Sequence, residues 1–209
     1  MKLLLLGATG LVGQNALKLA LADDRIKQVI APVRRPIPQH AKLDAPIVDF
    51  EKLNDGAGWW SVDAVICAIG TTMKAAGSQK QFYRIDHDYP LTFARFARRN
   101  GATAFVLNSA AGADETSRFF YNRVKGEIER NIANLDFPSL TIVRPGLIGG
   151  ERREFRTGER LLEVVLRITG PILPRAWRIN PAEKIASAMI EAAVAAIPGK
   201  RIVTSAELL

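Results

Sequence analysis

The chain has 209 residues, 48% hydrophobic and 24% charged, with a formal net charge of +8. That balance belongs to a folded globular protein and excludes a disordered or fibrous chain; the length fits one large domain. A single cysteine, Cys67, excludes an internal disulfide and fits a reducing compartment.

No stretch approaches the ~18 apolar residues of a membrane span, so the expected setting is the cytoplasm, with no membrane partner. The basic residues are dispersed as Arg34-Arg35, Arg98-Arg99 and Arg152-Arg153, then singly. No aromatic side chains interleave with them to stack bases, which argues against a nucleic-acid surface.

The first predicted strand is 2–6, Lys2 followed by four leucines. It is too short for a signal segment and breaks at once into glycines. Gly7-Ala8-Thr9-Gly10-Leu11-Val12-Gly13 follows, then a helix over 11–22 with an apolar face. A strand, a glycine turn and a helix N-terminus make an anion site, because free N–H groups and the positive end of the helix point at the turn. Glycines let the backbone turn sharply and approach a pyrophosphate, and the last lets helix pack on strand. Glycine triplets also occur in ordinary turns; the strand before and the helix after favour the nucleotide reading. Gly7, Thr9, Gly10, Leu11 and Val12 are the expected cofactor contacts here. The spacing is G-x-x-G-x-x-G rather than G-x-G-x-x-G.

The second strand, 28–33, ends in Arg34-Arg35. An NAD site carries an acidic residue about 20 positions past the glycines; arginines in that place suit a phosphate. The expected cofactor is therefore NADP(H) rather than NAD(H), unless the pair is a solvated loop flanked by Pro32 and Pro36. The third strand, 45–48, leads to Asp49 and Phe50, expected at the adenine, with a turn cap as the other role for Asp49.

The fourth strand, 64–69, contains Cys67, read as a core thiol, and runs into Ala68-Ile69-Gly70-Thr71, where small residues let a cofactor pass close to the backbone. A helix is expected over 88–100, with Pro90 in its first turn and Gly101 after its end. The fifth strand, 104–108, precedes Ser109, and the next helix, 118–134, carries Tyr121 and Lys125 four residues apart on one face. An ammonium beside a phenol favours the charged phenolate, so such a tyrosine can give a proton to a carbonyl oxygen. Ser109 can hold the same oxygen, and Lys125 can also reach a ribose. An ordinary helix pair has the same spacing; the strand-end serine and the opening glycines favour the catalytic reading.

The sixth strand, 140–143, leads into Arg144-Pro145-Gly146, where Pro145 and Leu147 are expected at the nicotinamide. A helix over 157–169, a helix over 181–195 and a strand over 202–204 close the chain. Alternating strands and helices, with strands apolar throughout, imply an α/β, doubly wound Rossmann-like parallel sheet flanked by helices. The whole chain, 1–209, is expected to form one domain, with a small substrate cap around 146–180. In that cap Arg152, Arg153, Arg156 and Arg160 lie among Glu151, Glu154 and Glu159, a salt-bridged surface or a site for an acidic partner. Trp177 stands between Arg175 and Arg178. His40 and His87 lack ligand-like spacing, so no metal site is expected.

Together the glycine turn, Gly70-Thr71-Thr72, Arg84-Ile85-Asp86-His87-Asp88-Tyr89, Ser109-Ala110-Ala111-Gly112-Ala113-Asp114, Tyr121-Asn122-Arg123-Val124-Lys125-Gly126-Glu127 and Arg144-Pro145-Gly146 resemble the short-chain dehydrogenase/reductase superfamily. The resemblance is to its atypical or extended branch, that of the HIV Tat-interacting oxidoreductase-like family, and runs to about residue 150, more weakly to Glu159. It implies a Rossmann-like domain, NADP(H) and a catalytic set of Ser109, Tyr121 and Lys125. Many classical members add an asparagine on the fourth helix; here the comparable stretch offers Asp86. The first functional reading is an NADPH-dependent reductase of a small carbonyl-like substrate. The second is an NADP(H)-binding redox sensor presenting a surface to a protein partner, as some relatives bind cofactor for regulation. The third is nucleotide-sugar epimerisation, which uses the same triad; it ranks last because such enzymes of the superfamily resemble larger chains with a full C-terminal substrate domain, and about 60 residues follow position 150 here. Oligomeric state stays open.

Overall fold

Leu3, Leu4, Leu5 and Leu6 are all fully buried, because the strand they form, β1 (Lys2–Leu6), lies in the middle of a sheet covered on both faces. The structure is a computed structural model that describes residues 1–149 and 179–209. In chain order the elements are α1 (Leu11–Ala22), β2 (Gln28–Ile30), β3 (Leu43–Asp44), β4 (Ala64–Cys67), α2 (Met73–Ala76), α3 (Gln79–Tyr83), α4 (Tyr89–Arg99), β5 (Ala104–Asn108), α5 (Phe120–Ala133), β6 (Ser139–Arg144), β7 (Leu147–Gly149), β8 (Ile179–Pro181), α6 (Ala182–Ala195) and β9 (Gly199–Thr204). Seven strands pair in parallel in the order β3-β2-β1-β4-β5-β6-β9, and β7 pairs with β8 separately.

Alternate residues of each strand enter different cores. Leu3, Leu5, Ile66 and Val106 pack with Val12, Ala16 and Ala20 of α1 and Ile185, Ala186 and Met189 of α6. Leu4, Leu6, Val65, Phe105 and Ile142 pack with Phe93, Ala94 and Ala97 of α4 and Ile128 and Ile132 of α5, around the fully buried Trp60. The sheet is doubly wound. Its order reverses between β1 and β4, and the crevice at that switch point is where such sheets bind ligands.

The expected elements are present, with shifted ends. β2 stops at Ile30, three residues early, because Pro32 supplies no N–H to a ladder, and β3 lies at Leu43–Asp44, just before the expected 45–48, because Pro46 supplies none either. Pairing nonetheless resumes beyond them, with the Val33 N–H donating to the Pro46 carbonyl and the Val48 N–H to the Val33 carbonyl. β4 stops at Cys67, two residues early, while β9 begins three residues early. Not expected were α2 and α3, capped by Thr72 and Ser78 side chains, and the π turn Arg84–Asp88 that joins α3 to α4. The expected helix 157–169 lies outside the described residues, as do residues 150–178 of the cap, including Trp177 and the arginines from Arg152 to Arg178.

The fully buried Asn180 closes the C-terminal side of the sheet. Its Oδ1 accepts from the Gly146 N–H at 2.7 Å and from the Ser205 hydroxyl at 2.8 Å, and its Nδ2 donates to the Ser205 carbonyl. The loop after β6 is thereby tied to the end of the chain.

Candidate active site

Gly7 has φ +82°, and a Cβ built there would stand 2.6 Å from the Ala68 carbonyl oxygen. The turn after β1 therefore runs directly against the end of β4, at the switch point. A Cβ on Gly13 would stand 1.9 Å from the Gly7 carbonyl oxygen, so α1 lies on the turn with no room for a side chain. Gly10 is the N-cap of α1; its N–H donates to Gly7 at 2.9 Å, no side chain caps the helix, and its first turn carries no acidic residue. The next N–H groups face outward with the positive end of the helix. Val12 points its side chain into the core, so its contribution to this cradle is its backbone.

Across the crevice, the Lys125 ammonium stands 2.8 Å from Asp86 Oδ1, both groups buried. The other Asp86 oxygen accepts from the Thr71 N–H at 2.8 Å. The π turn aims Asp86 inward from the start of α4, and Gly70 leaves open the space beside both charges: a Cβ there would lie 3.4 Å from Asp86 and 3.8 Å from Lys125. Burial works against the Lys125 charge, but Asp86, with help from Tyr121, holds its pKa above the ordinary value. Burial pushes the nearby Cys67 thiol up to about 12, so Cys67 is an inert core group.

The pair has a measurable consequence. A group whose pKa rises on folding stabilises the fold below its unfolded value, about 10.4 for lysine, and ceases to as pH passes its folded value. Asp86→Ala leaves the buried Lys125 ammonium without its counter-ion and the half-buried Thr71 N–H without its acceptor, and is expected to cost about 3–5 kcal/mol and lower the melting temperature near pH 7 by roughly 10 °C. Melting curves against pH check this: the gap to wild type should narrow once Lys125 deprotonates in strongly alkaline buffer.

One turn before Lys125, Tyr121 is 39% exposed, its ring 5.6 Å from that of Phe82. α5 can lie this close to the preceding loop because residue 126 is glycine: a Cβ there would stand 2.1 Å from the Glu115 nitrogen. Ser109 does not point into the crevice's open space. It is 4% exposed and donates its hydroxyl to Glu129 at 2.5 Å, one turn beyond Lys125 on α5. Glu129 in turn is held by both arms of Arg144. Beside Ser109, Asn108 Oδ1 is buried with no hydrogen-bond partner among the described residues.

The other expected positions are spread along the same sheet edge. Arg34 and Arg35 are exposed and form no ion pair among the described residues. Asp49 is a turn cap through one oxygen, accepting from the Glu51 N–H at 2.9 Å; Phe50 packs edge-on to Tyr89 and Phe93. Glu51, unforeseen, bonds the Tyr89 hydroxyl and the Arg84 guanidinium. Ile69 is buried; Pro145 is buried too, its carbonyl accepting from the Ala111 N–H, and Leu147 is exposed. His87 is a core histidine bonded to Asp88 and Asn131, and no metal-binding cluster is found among the described residues. The Glu129 network was missed, although Tyr121, Lys125 and Glu129 recur every four residues, a legible helical stripe.

The doubly wound sheet, the glycine cradle at its switch point and the Tyr121–Lys125 pair opposite define a dinucleotide-binding protein of the short-chain dehydrogenase/reductase type. No family model matches the chain. The chain is 36% identical over 208 residues to the protein fmp52, mitochondrial, of Aspergillus niger, covering 94% of this chain and 88% of that one. It is 37% identical over 162 residues to the protein HTATIP2 of Rattus norvegicus, covering 75% and 66%. Among solved structures it resembles MoeE5 in complex with UDP-glucose and NAD, with a TM-score of 0.75 at 14% identity over 97% of this chain and 75% of that one. The chain belongs to the Fmp52 and HTATIP2 family, within the atypical short-chain dehydrogenase/reductases, an NAD(P)-binding superfamily of oxidoreductase type. The expected cytoplasmic setting is corrected by these relatives: the Fmp52 proteins of Aspergillus niger, Eremothecium gossypii and Candida albicans are each named mitochondrial.

Proposed function

We propose that the protein is an NADP(H)-dependent oxidoreductase that reduces a small carbonyl-like substrate, with Tyr121 as the proton donor. The observation that carries this reading is the buried Lys125, held charged by Asp86 one turn from an exposed tyrosine, across from an uncapped glycine cradle. The residues present fit a nicotinamide dinucleotide. Gly7 and Gly13 let the turn pack backbone to backbone against β4 and α1, and the first turn of α1 offers N–H groups for a pyrophosphate. Arg34 and Arg35 offer guanidinium forks for a further phosphate, and Ala68, Gly70 and Thr71 form the floor between.

When bound, the cofactor supplies the hydride. The protein's own part is to place a carbonyl carbon above it and to protonate the oxygen. Tyr121 is 39% exposed, and its hydroxyl makes no hydrogen bond among the described residues that would hold it back from a substrate. The Lys125 ammonium steadies the charge that the phenol acquires on giving up its proton, and Asp86 keeps that ammonium in place. The experiment is a titration with NADPH followed by its consumption over a panel of aldehydes, ketones and quinones. Micromolar binding with turnover supports the reading; an absence of binding overturns it.

The cofactor preference is testable separately. Replacing Arg34 and Arg35 together with serine should lower the preference for NADPH over NADH by about tenfold or more, the value of one charge-assisted hydrogen bond. Equal loss for both cofactors would remove the arginines from phosphate recognition.

A redox sensor with slow turnover is the second reading. It is favoured by Ser109, whose hydroxyl is already given to the Glu129 carboxylate. Tight NADPH binding with no turnover across the panel would select it.

A further inference from the structure

Tyr121, Lys125 and Glu129 stand at four-residue intervals on α5 and share a face. The first two belong to the proposed reaction; Glu129 has no place in it. Yet Glu129 is 4% exposed and both of its oxygens are taken. Oε1 accepts from Ser109 Oγ at 2.5 Å and from Arg144 Nε at 3.0 Å, and Oε2 accepts from Arg144 Nη2 at 2.5 Å. A carboxylate is buried this far only when such partners replace water.

The three residues sit where three elements lining the crevice come together. Ser109 is the first residue past β5, Glu129 lies on α5, and Arg144 is the last residue of β6, directly before Pro145. One buried carboxylate therefore pins the end of β5 and the end of β6 to the helix that carries Tyr121.

A serine hydroxyl has one proton. Here that proton is directed at an ionised acceptor, a bond about twice as strong as one to a neutral carbonyl. A substrate carbonyl oxygen only accepts. Ser109 cannot serve it without abandoning Glu129.

We infer that Glu129 is a positioning residue, that Ser109 acts through Glu129 as a strut, and that Tyr121 rather than Ser109 donates to the reacting oxygen. Only the last clause rests on the oxidoreductase reading; the strut does not.

A double-mutant cycle tests it. Single variants Ser109→Ala and Glu129→Ala are compared with the double variant, and Glu129→Gln serves as the conservative variant if Glu129→Ala does not fold. The first readout is the NMR signal of ring-labelled tyrosine. The chain has three tyrosines, and Tyr121→Phe assigns the relevant signal without any turnover. The second is kcat for NADPH-dependent reduction of phenanthrenequinone.

The expected result is that the Tyr121 signal moves when Glu129 is replaced, and that adding Ser109→Ala to that variant changes neither the signal nor kcat by more than about twofold. Glu129→Gln, which still accepts from Ser109, should recover part of both. A Tyr121 signal unmoved by every Glu129 variant overturns the inference. So does a loss of kcat from Ser109→Ala that persists at full size in the Glu129 background, because it makes Ser109 a direct donor. A wild-type protein that binds NADPH but reduces no quinone overturns the reductase reading instead, and the tyrosine signal still decides the strut.

Discussion

Tyr121→Phe is expected to lower NADPH-dependent carbonyl reduction by about a hundred- to ten-thousand-fold, the contribution of a positioned general acid. NADPH affinity should stay within about twofold, because the role proposed for the phenol is at the reacting oxygen rather than at the phosphates. The ring also keeps its contact with Phe82 at 5.6 Å, so the fold should not suffer. The size of the effect follows from the surroundings: Ser109 gives its proton to Glu129, so that hydroxyl is not placed to take over. Steady-state kinetics and a fluorescence titration of NADPH check both halves. Undiminished turnover would remove Tyr121 from the chemistry; loss of cofactor binding would move it to the cofactor site.

The second large effect is expected at Gly13. A methyl group there would stand 1.9 Å from the Gly7 carbonyl oxygen, with the Gly7 carbonyl carbon at 2.6 Å. Both neighbours are backbone, so relief requires moving α1 off the turn. Gly13→Ala should cost about 3 kcal/mol, the upper end for overpacking, and lower the melting temperature by roughly 10 °C. Dinucleotide binding should fall more steeply still, because the displaced N–H groups are the ones that would face the pyrophosphate. Gly10→Ala is the control: its Cβ meets Gly7 only at 3.4 Å, so stability should change little. Calorimetry with and without NADPH separates the two effects. Equal melting temperatures for the two variants would show that the turn relaxes more easily than its geometry implies.

These two positions differ in how they could be read. Gly13 was legible from its context: glycine triplets occur in ordinary turns, but one set between an apolar strand and a helix points to close packing of helix on strand. Tyr121 and Lys125 were legible as a helical pair. Asp86 stood out only as a departure from the family's asparagine, and its task, holding Lys125 and the Thr71 N–H together, depends on a π turn that no pattern of apolar residues announces. Ser109 was placed correctly at the end of β5, but the direction of its hydroxyl was not. A strand end can aim a side chain at the crevice or at the neighbouring helix, and the difference lies in Glu129, twenty residues away.

The local order of the chain determined the fold class. Apolar strands alternating with amphipathic helices bury their surfaces as a parallel sheet covered on both faces, and Gly7 and Gly13 mark its first turn because a Cβ at either would meet backbone. Tertiary structure decided what the charged groups do. Lys125 with Asp86, and Glu129 with Ser109 and Arg144, are buried ions that exist only because folding brings each a partner from another element. A buried charge is tolerated only with such compensation, and the compensating residues are set by distance in space, which spacing along the chain does not encode.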